Sequence, residues 1–269
     1  MAAPHTLRIS RPDGAELAVH AAGAGPAVML ISGLGGTAGF WRPVTERLSA
    51  RFTVVTLDQR GIGASTRGTA AVSIETLADD CGAALDALRI DRAVLVGHST
   101  GGCIAMTLAA SQPKRVSGVV LSATWLAATP YMTALFAARR TTLDADPEAY
   151  ATLGTMLGYP SEWLEAHWPV LEGAVRQAPR SAEARKVVAE RIAALLAFDG
   201  RTLVPSLHMP CLVFGARDDL IVPLSAQKAV HAALPRAEIT VLESGGHFFP
   251  VTRTDEVAAR FSAFVEACQ

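Results

Sequence analysis

Apolar positions along the chain follow two alternating rhythms. Short runs with a strand's composition recur: TLRIS and ELAVHAA, then AVMLIS, FTVVTL, AVLVGH, VSGVVLSA, CLVFG and EITVLE. The first two flank the turn signal Pro12-Asp13-Gly14 and read as an opening hairpin. Several later runs are apolar throughout rather than alternating, as parallel strands covered on both faces are. Between FTVVTL and AVLVGH, Ile74, Leu77, Cys81, Leu85 and Leu88 repeat at helical spacing and predict an amphipathic crossover helix. Asp79 and Asp80 on that helix are expected to face solvent. The alternation of strand and helix predicts a doubly wound, mostly parallel α/β sheet.

One segment breaks the rhythm. From Trp125 to Pro205 no strand run appears, and Pro130, Pro147, Pro160, Pro169 and Pro179 cut the stretch into short helical pieces. A structureless loop of that length is implausible in a compact domain, so the expected division is a core of residues 1–124 and 206–269 carrying a helical insertion at 125–205. The insertion carries Trp125, Tyr131, Phe136, Tyr159, Trp163, Trp168 and Phe198, and most of these aromatics are expected to pack as core.

Composition narrows the functional classes. The 269 residues are 50% hydrophobic and 18% charged, with a net charge of −1 and no basic run, which argues against nucleic acid or an anionic membrane as partner. The N-terminus lacks a basic region followed by an apolar one, and no apolar segment reaches the roughly 20 residues of a membrane span. Cys81, Cys103, Cys211 and Cys268 are scattered without CxxC pairing, as expected of reduced thiols in a cytoplasmic protein. No histidine set has metal-ligand spacing, so neither a metal nor a cofactor is expected. Oligomeric state is not readable.

Two glycine-rich loops carry the candidate chemistry. ISGLGGTAGFW follows a strand, and Gly33-x-Gly35-x-x-Ala38 is close to a dinucleotide-binding turn, with Asp58 placed where a ribose contact would fall. That turn normally follows the first strand of its sheet, whereas this loop follows the third. The second loop, Gly97-His98-Ser99-Thr100-Gly101-Gly102, lies between the strand AVLV and the helix-compatible CIAMTLAASQ, the setting of a G-x-S-x-G nucleophile elbow. The bland alternative is an ordinary turn with Ser99 as a helix N-cap. Partners downstream weigh against it: VFGARDDLIVP ends one strand with acids, and LESGGHFFP ends the next with His247, in the chain order Ser, Asp, His.

LISGLGG, LDQRGIGAS, GHSTGG, DLIVP and GGH together identify the chain as resembling the α/β-hydrolase superfamily over nearly its whole length. More narrowly, LISGLGG…W, DQRG and YPSEW resemble the aminoacrylate or carbamate hydrolases of pyrimidine-ring breakdown, and also the 3-oxoadipate enol-lactonases. One departure is Ser32-Gly33, where the family often has His-Gly. The resemblance implies an α/β-hydrolase fold with a helical cap, and a Ser99–His247–Asp219 triad cleaving a small ester, lactone, carbamate or amide through an acyl-enzyme. The acid four residues before Pro223 favours Asp219 over Asp218. Leu34 and Thr100 N–H would form the oxyanion hole, and Trp41, Trp125, Met156, Tyr159 and Trp163 a largely apolar pocket. The same triad suits carbon–carbon bond hydrolysis or cofactor-free perhydrolysis, and a hydrolase-fold receptor or regulator is the alternative of another class. His98 is expected to be a packed neighbour, Cys103 core, and Arg60 a loop anchor.

Overall fold

The computed structural model describes residues 5–269. Eight strands form one sheet: β1 (His5–Ser10), β2 (Glu16–Ala22), β3 (Ala27–Ile31), β4 (Thr53–Leu57), β5 (Ala93–His98), β6 (Val116–Ser122), β7 (Cys211–Ala216) and β8 (Glu238–Leu242). Their order is β1-β2-β4-β3-β5-β6-β7-β8. The hairpin β1–β2 and the β2–β4 pair are antiparallel, and every other pairing is parallel. All eight runs expected from the sequence are strands.

The continuous apolarity of the central strands has a direct cause. Met29, Ile31, Val55, Leu95, Val119, Leu121 and Val213 point into one core layer, while Val28, Leu30, Val54, Val94, Val96, Val120 and Leu212 point into the other. Alternate side chains thus face opposite sides of the sheet, and both sides are covered. On the first side lie α2 (Ile74–Ala87) and α3 (Thr100–Ser111); α1 (Arg42–Leu48) and the C-terminal α11 (Thr254–Ala267) close the second. Ser73 caps α2, its Oγ accepting Thr76 N–H at 3.1 Å.

Asp80 corrects the reading of α2. Asp79 is exposed as expected, but Asp80 is buried. Its carboxylate takes a two-pronged contact from Arg60, Nε at 2.7 Å and Nη2 at 2.8 Å, while Arg11 Nε reaches it at 3.0 Å. Arg60 Nη1 also reaches Asp13 at 2.7 Å, so the arginine ties the hairpin turn and α2 to its own loop. Periodicity marks Asp80 as polar but cannot reveal a guanidinium supplied from elsewhere in the chain.

Between β6 and β7 the chain forms α4 (Pro130–Ala145), α5 (Pro147–Gly158), α6 (Ser161–Ala166), α7 (Pro169–Arg176) and α8 (Ala182–Ala197). Prolines open α4, α5 and α7, where a missing N–H costs nothing. Thr129, Asp146 and Ser181 cap α4, α5 and α8 through side-chain oxygens. An isolated bridge between Ala127 and Asp199 brings the two ends of the insertion together. After β7 come α9 (Leu224–Ala233) and, following β8, the short α10 (Phe249–Thr252).

Candidate functional site

The carboxyl ends of β5, β7 and β8 carry the three residues singled out from sequence. Ser99 immediately follows β5 and has φ 57° and ψ −124°, a region L-residues rarely adopt. That backbone is held from all sides: Ser99 N–H donates to Ser122 O at 2.8 Å, and its own carbonyl accepts Gly102 N–H at 2.9 Å. A Cβ on Gly97 would fall under 3.0 Å from the Gly101 backbone, and one on Gly101 equally close to the Ile31 carbonyl. These two glycines permit the close approach of strand, turn and helix that the elbow needs.

His247 lies in the turn after β8, and Asp219 in the turn after β7. Asp219 Oδ2 is 2.9 Å from His247 Nδ1, with both side chains essentially inaccessible. The other oxygen, Oδ1, accepts the N–H groups of Ile221 at 2.9 Å and Val222 at 2.8 Å. Asp218 is turned elsewhere and accepts Gly245 and Gly246 N–H, each at 3.0 Å. The structure therefore brings Asp219, not Asp218, to the imidazole.

His98 packs behind the site. Its ring stacks on Phe40 at 5.1 Å and lies 4.8 Å from the His247 ring, with Nδ1 3.0 Å from Ser122 Oγ. Burial, reinforced by the neighbouring His247, holds its pKa well below the ordinary histidine range. Cys103 is fully buried one turn into α3, near Thr124, and burial raises its thiol pKa far above normal. Neither is placed as an alternative nucleophile.

The loop after β3 passes over Ser99. A Cβ on Gly33 would lie 2.9 Å from Ser99 Cβ, so glycine is what lets this backbone reach the serine. Among the described residues, neither Leu34 N–H nor Thr100 N–H hydrogen-bonds to another protein group. Asp58, the acid a dinucleotide site would direct at a ribose, instead accepts Ala38 N–H at 2.8 Å and Ala64 N–H at 2.9 Å. Its carboxylate joins two loops. Two further side chains support the same turn, and their importance has no local sequence signal: Gln59 Nε2 donates to Ser32 O at 2.8 Å, and Arg191 of α8 reaches the Gly33 and Leu34 carbonyls.

The expected pocket residues separate. Trp41 has no accessible surface; it packs in the core layer beneath the sheet, against Phe40 and Phe261. A substrate-lining place does not fit it, because it has no surface left to offer a ligand. Trp125 is likewise fully buried, in the opposite core layer. Met156 is 57% exposed, outward on α5. Tyr159 and Trp163 do approach the site: they stack at 4.6 Å, and Tyr159 meets Phe248, the residue after His247, edge-on at 4.9 Å. Burial pushes the Tyr159 phenol up to about 12. No group of three or more His, Cys, Asp or Glu is placed to hold a metal among the described residues, and no described helix is long and apolar enough to cross a membrane.

A family model described as alpha/beta hydrolase fold matches residues 26–254. A candidate carbamate hydrolase, RutD, of Azorhizobium caulinodans is 34% identical over 90% of this chain and 91% of its own. The like-named protein of Caulobacter vibrioides is 32% identical over 97% and 98%. Among solved structures, a hydrolase from Pseudomonas aeruginosa superposes with a TM-score of 0.85 at 26% identity, covering 96% of this chain and 97% of the other. The enol-lactonase of Burkholderia xenovorans shares the fold, with a TM-score of 0.84 at 24% identity over 94% and 97%. The chain belongs to the α/β-hydrolase fold family.

Proposed function

We propose that the protein is a serine hydrolase acting on a small carbamate or a related acyl compound through an acyl-enzyme. The observation that carries this reading is the 2.9 Å contact between Asp219 Oδ2 and His247 Nδ1 on the same sheet edge as the strained Ser99 elbow. That contact fixes the imidazole tautomer, leaving Nε2 as the base. Ser99 Oγ attacks the substrate carbonyl carbon while His247 takes its proton, and the carbonyl π pair moves to oxygen as the oxyanion. Leu34 and Thr100 N–H receive that charge. Collapse expels the amine or alkoxide, which leaves with the proton from His247. Water then repeats the sequence on the acyl-enzyme and frees Ser99.

The carbamate preference rests on relatives 32–34% identical over almost the full chain, each named as a candidate carbamate hydrolase. The 125–205 segment acts as a cap in this reading, with Tyr159 and Trp163 its contribution to the site. A fluorophosphonate probe tests the nucleophile: adduct at Ser99 by peptide mass spectrometry is expected, and adduct elsewhere overturns the assignment. Parallel assays on small carbamates, p-nitrophenyl esters and enol-lactones rank the substrate classes, with carbamates expected first. A triad that labels but turns over none of them, with ligand-dependent binding to another protein instead, would favour a receptor.

A further inference from the structure

Arg191 is a buried cation without an acid. Its side chain is 1% exposed, and among the described residues it forms no ion pair. Its partners are all neutral oxygens: Nε donates to Leu34 O at 2.8 Å, Nη2 to Gly33 O at 3.0 Å, and Nη2 also to Gln59 Oε1, while Nη1 is buried without a partner. Burying an uncompensated guanidinium is costly, and burial lowers its pKa to about 10, leaving it protonated at neutral pH. A stability role alone accounts poorly for such a group, since an apolar residue of similar size would avoid the desolvation cost.

The two carbonyls it holds define what it does. Gly33 O and Leu34 N belong to the same peptide unit, so a trans amide directs the N–H opposite to the carbonyl that Arg191 grips. We propose that Arg191, reaching down from α8 of the insertion, is a positioning residue for the oxyanion hole: it fixes the Gly33–Leu34 peptide plane and polarises it, so that Leu34 N–H points at the substrate oxyanion as a stronger donor. This rests on the serine-hydrolase reading above. Hydrogen bonds in series reinforce one another, and a cationic donor on the carbonyl does so more than a neutral one. Gly36 N–H shares Gly33 O at 3.0 Å, which tightens the turn but brings no charge.

The glycines fit the same role. A Cβ on Gly36 would sit 3.1 Å from Arg191 Nη2, and Gly36 also has φ 66°. The loop is bare there because the guanidinium lies against it. Gln59 completes the frame, accepting from Arg191 and donating to Ser32 O at 2.8 Å. The insertion is thereby coupled to the reacting centre: any shift of α8 relative to the sheet moves the group that orients one oxyanion donor.

The test compares Arg191→Met, Arg191→Lys and, as a control, Glu190→Gln, which breaks a neighbouring insertion-to-core ion pair with Arg67 at 2.8 Å. Wild type is first confirmed to label at Ser99 with a fluorophosphonate, and p-nitrophenyl acetate kinetics are then measured with inhibition by an alkyl trifluoromethyl ketone. That ketone adds to the serine and presents a tetrahedral oxyanion. In Arg191→Met, kcat is expected to fall about 10- to 100-fold with KM within about twofold, and the ketone Ki to rise by a matching factor. Arg191→Lys should be intermediate, and Glu190→Gln unchanged. A merely structural role would not weaken oxyanion binding in step with kcat. Wild-type kcat and Ki in Arg191→Lys, or a fall in kcat without a matching rise in Ki, overturns the proposal. If Arg191→Met does not fold, Arg191→Lys alone decides. Failure of wild type to label at Ser99 overturns the underlying reading as well, whereas normal labelling with unaltered Arg191 variants overturns this inference only.

Discussion

Asp219 and Asp218 are neighbours in sequence with different partners: Asp219 Oδ2 meets His247 Nδ1 at 2.9 Å, while Asp218 holds the amides of Gly245 and Gly246. Asp218 braces the backbone of the turn that carries His247, whereas Asp219 braces its own loop through Ile221 and Val222 and touches the imidazole. The pair thus separates contact with the imidazole from construction of the loop that carries it.

That separation predicts different phenotypes for two adjacent substitutions. Asp219→Asn places an amide N–H against Nδ1, favours the wrong tautomer, and is expected to lower kcat by about 10³- to 10⁴-fold. Asp218→Asn loses one good acceptor for the Gly245–Gly246 amides and should cost about 1–3 kcal/mol of stability while kcat changes little. Steady-state kinetics together with urea denaturation distinguish the two; the reverse ranking in kcat would assign the triad acid to Asp218.

At Ser99 the prediction concerns strain. Its φ of 57° with ψ −124° suits glycine, not a residue with a Cβ. Ser99→Ala and Ser99→Gly should both abolish turnover, yet Ser99→Gly should be the more stable by about 1 kcal/mol because the elbow no longer opposes a side chain. Thermal unfolding of the two variants is the measurement. Equal stability would mean the strain is relieved elsewhere.

The sheet, the crossover helix and the strand-free insertion were legible because each writes a local period into the sequence. The Ser, Asp and His candidates were legible because the motif and the strand ends are local as well. What escaped shares one property: it depends on contacts between distant residues. Asp80 looks like a solvent-facing residue until Arg60 and Arg11 are placed beside it. Arg191 stands 157 residues from Leu34, and nothing around it in the sequence marks it off from an ordinary surface arginine of an amphipathic helix. Trp41 carries the opposite lesson. An aromatic close to a glycine-rich loop in sequence is fully buried in a core layer with Phe40 and Phe261, so closeness along the chain does not make it a lining residue.

The Arg60–Asp80–Asp13 cluster should be a point of fragility. Arg60→Met would leave Asp80 buried with only Arg11 at its side, and breaking a buried pair by removing one partner costs about 3–5 kcal/mol. Chemical denaturation is expected to show a loss of that order, whereas activity per folded molecule stays near wild type, since Arg60 reaches neither Ser99 nor the loop above it. Adding Asp80→Asn to the variant should recover part of the loss.

Stability should also decline from neutral pH downward, and His98 gives the reason. Burial first, then the adjacent His247, keeps its folded pKa well below the ordinary value, so the folded protein leaves this imidazole neutral. In the unfolded chain it protonates near pH 6.5. The unfolded state therefore binds more protons in this window, and stability rises with pH up to about 6.5 and is lost progressively below it. His98→Phe keeps an aromatic ring among Phe40, Trp41 and Phe249 but removes the titration. The variant forfeits the contact with Ser122 and should be less stable at pH 7. Its melting temperature should nonetheless fall less steeply between pH 7 and about pH 5 than that of wild type. An unchanged slope would show that His98 titrates alike in both states, and would place the acid sensitivity on other groups.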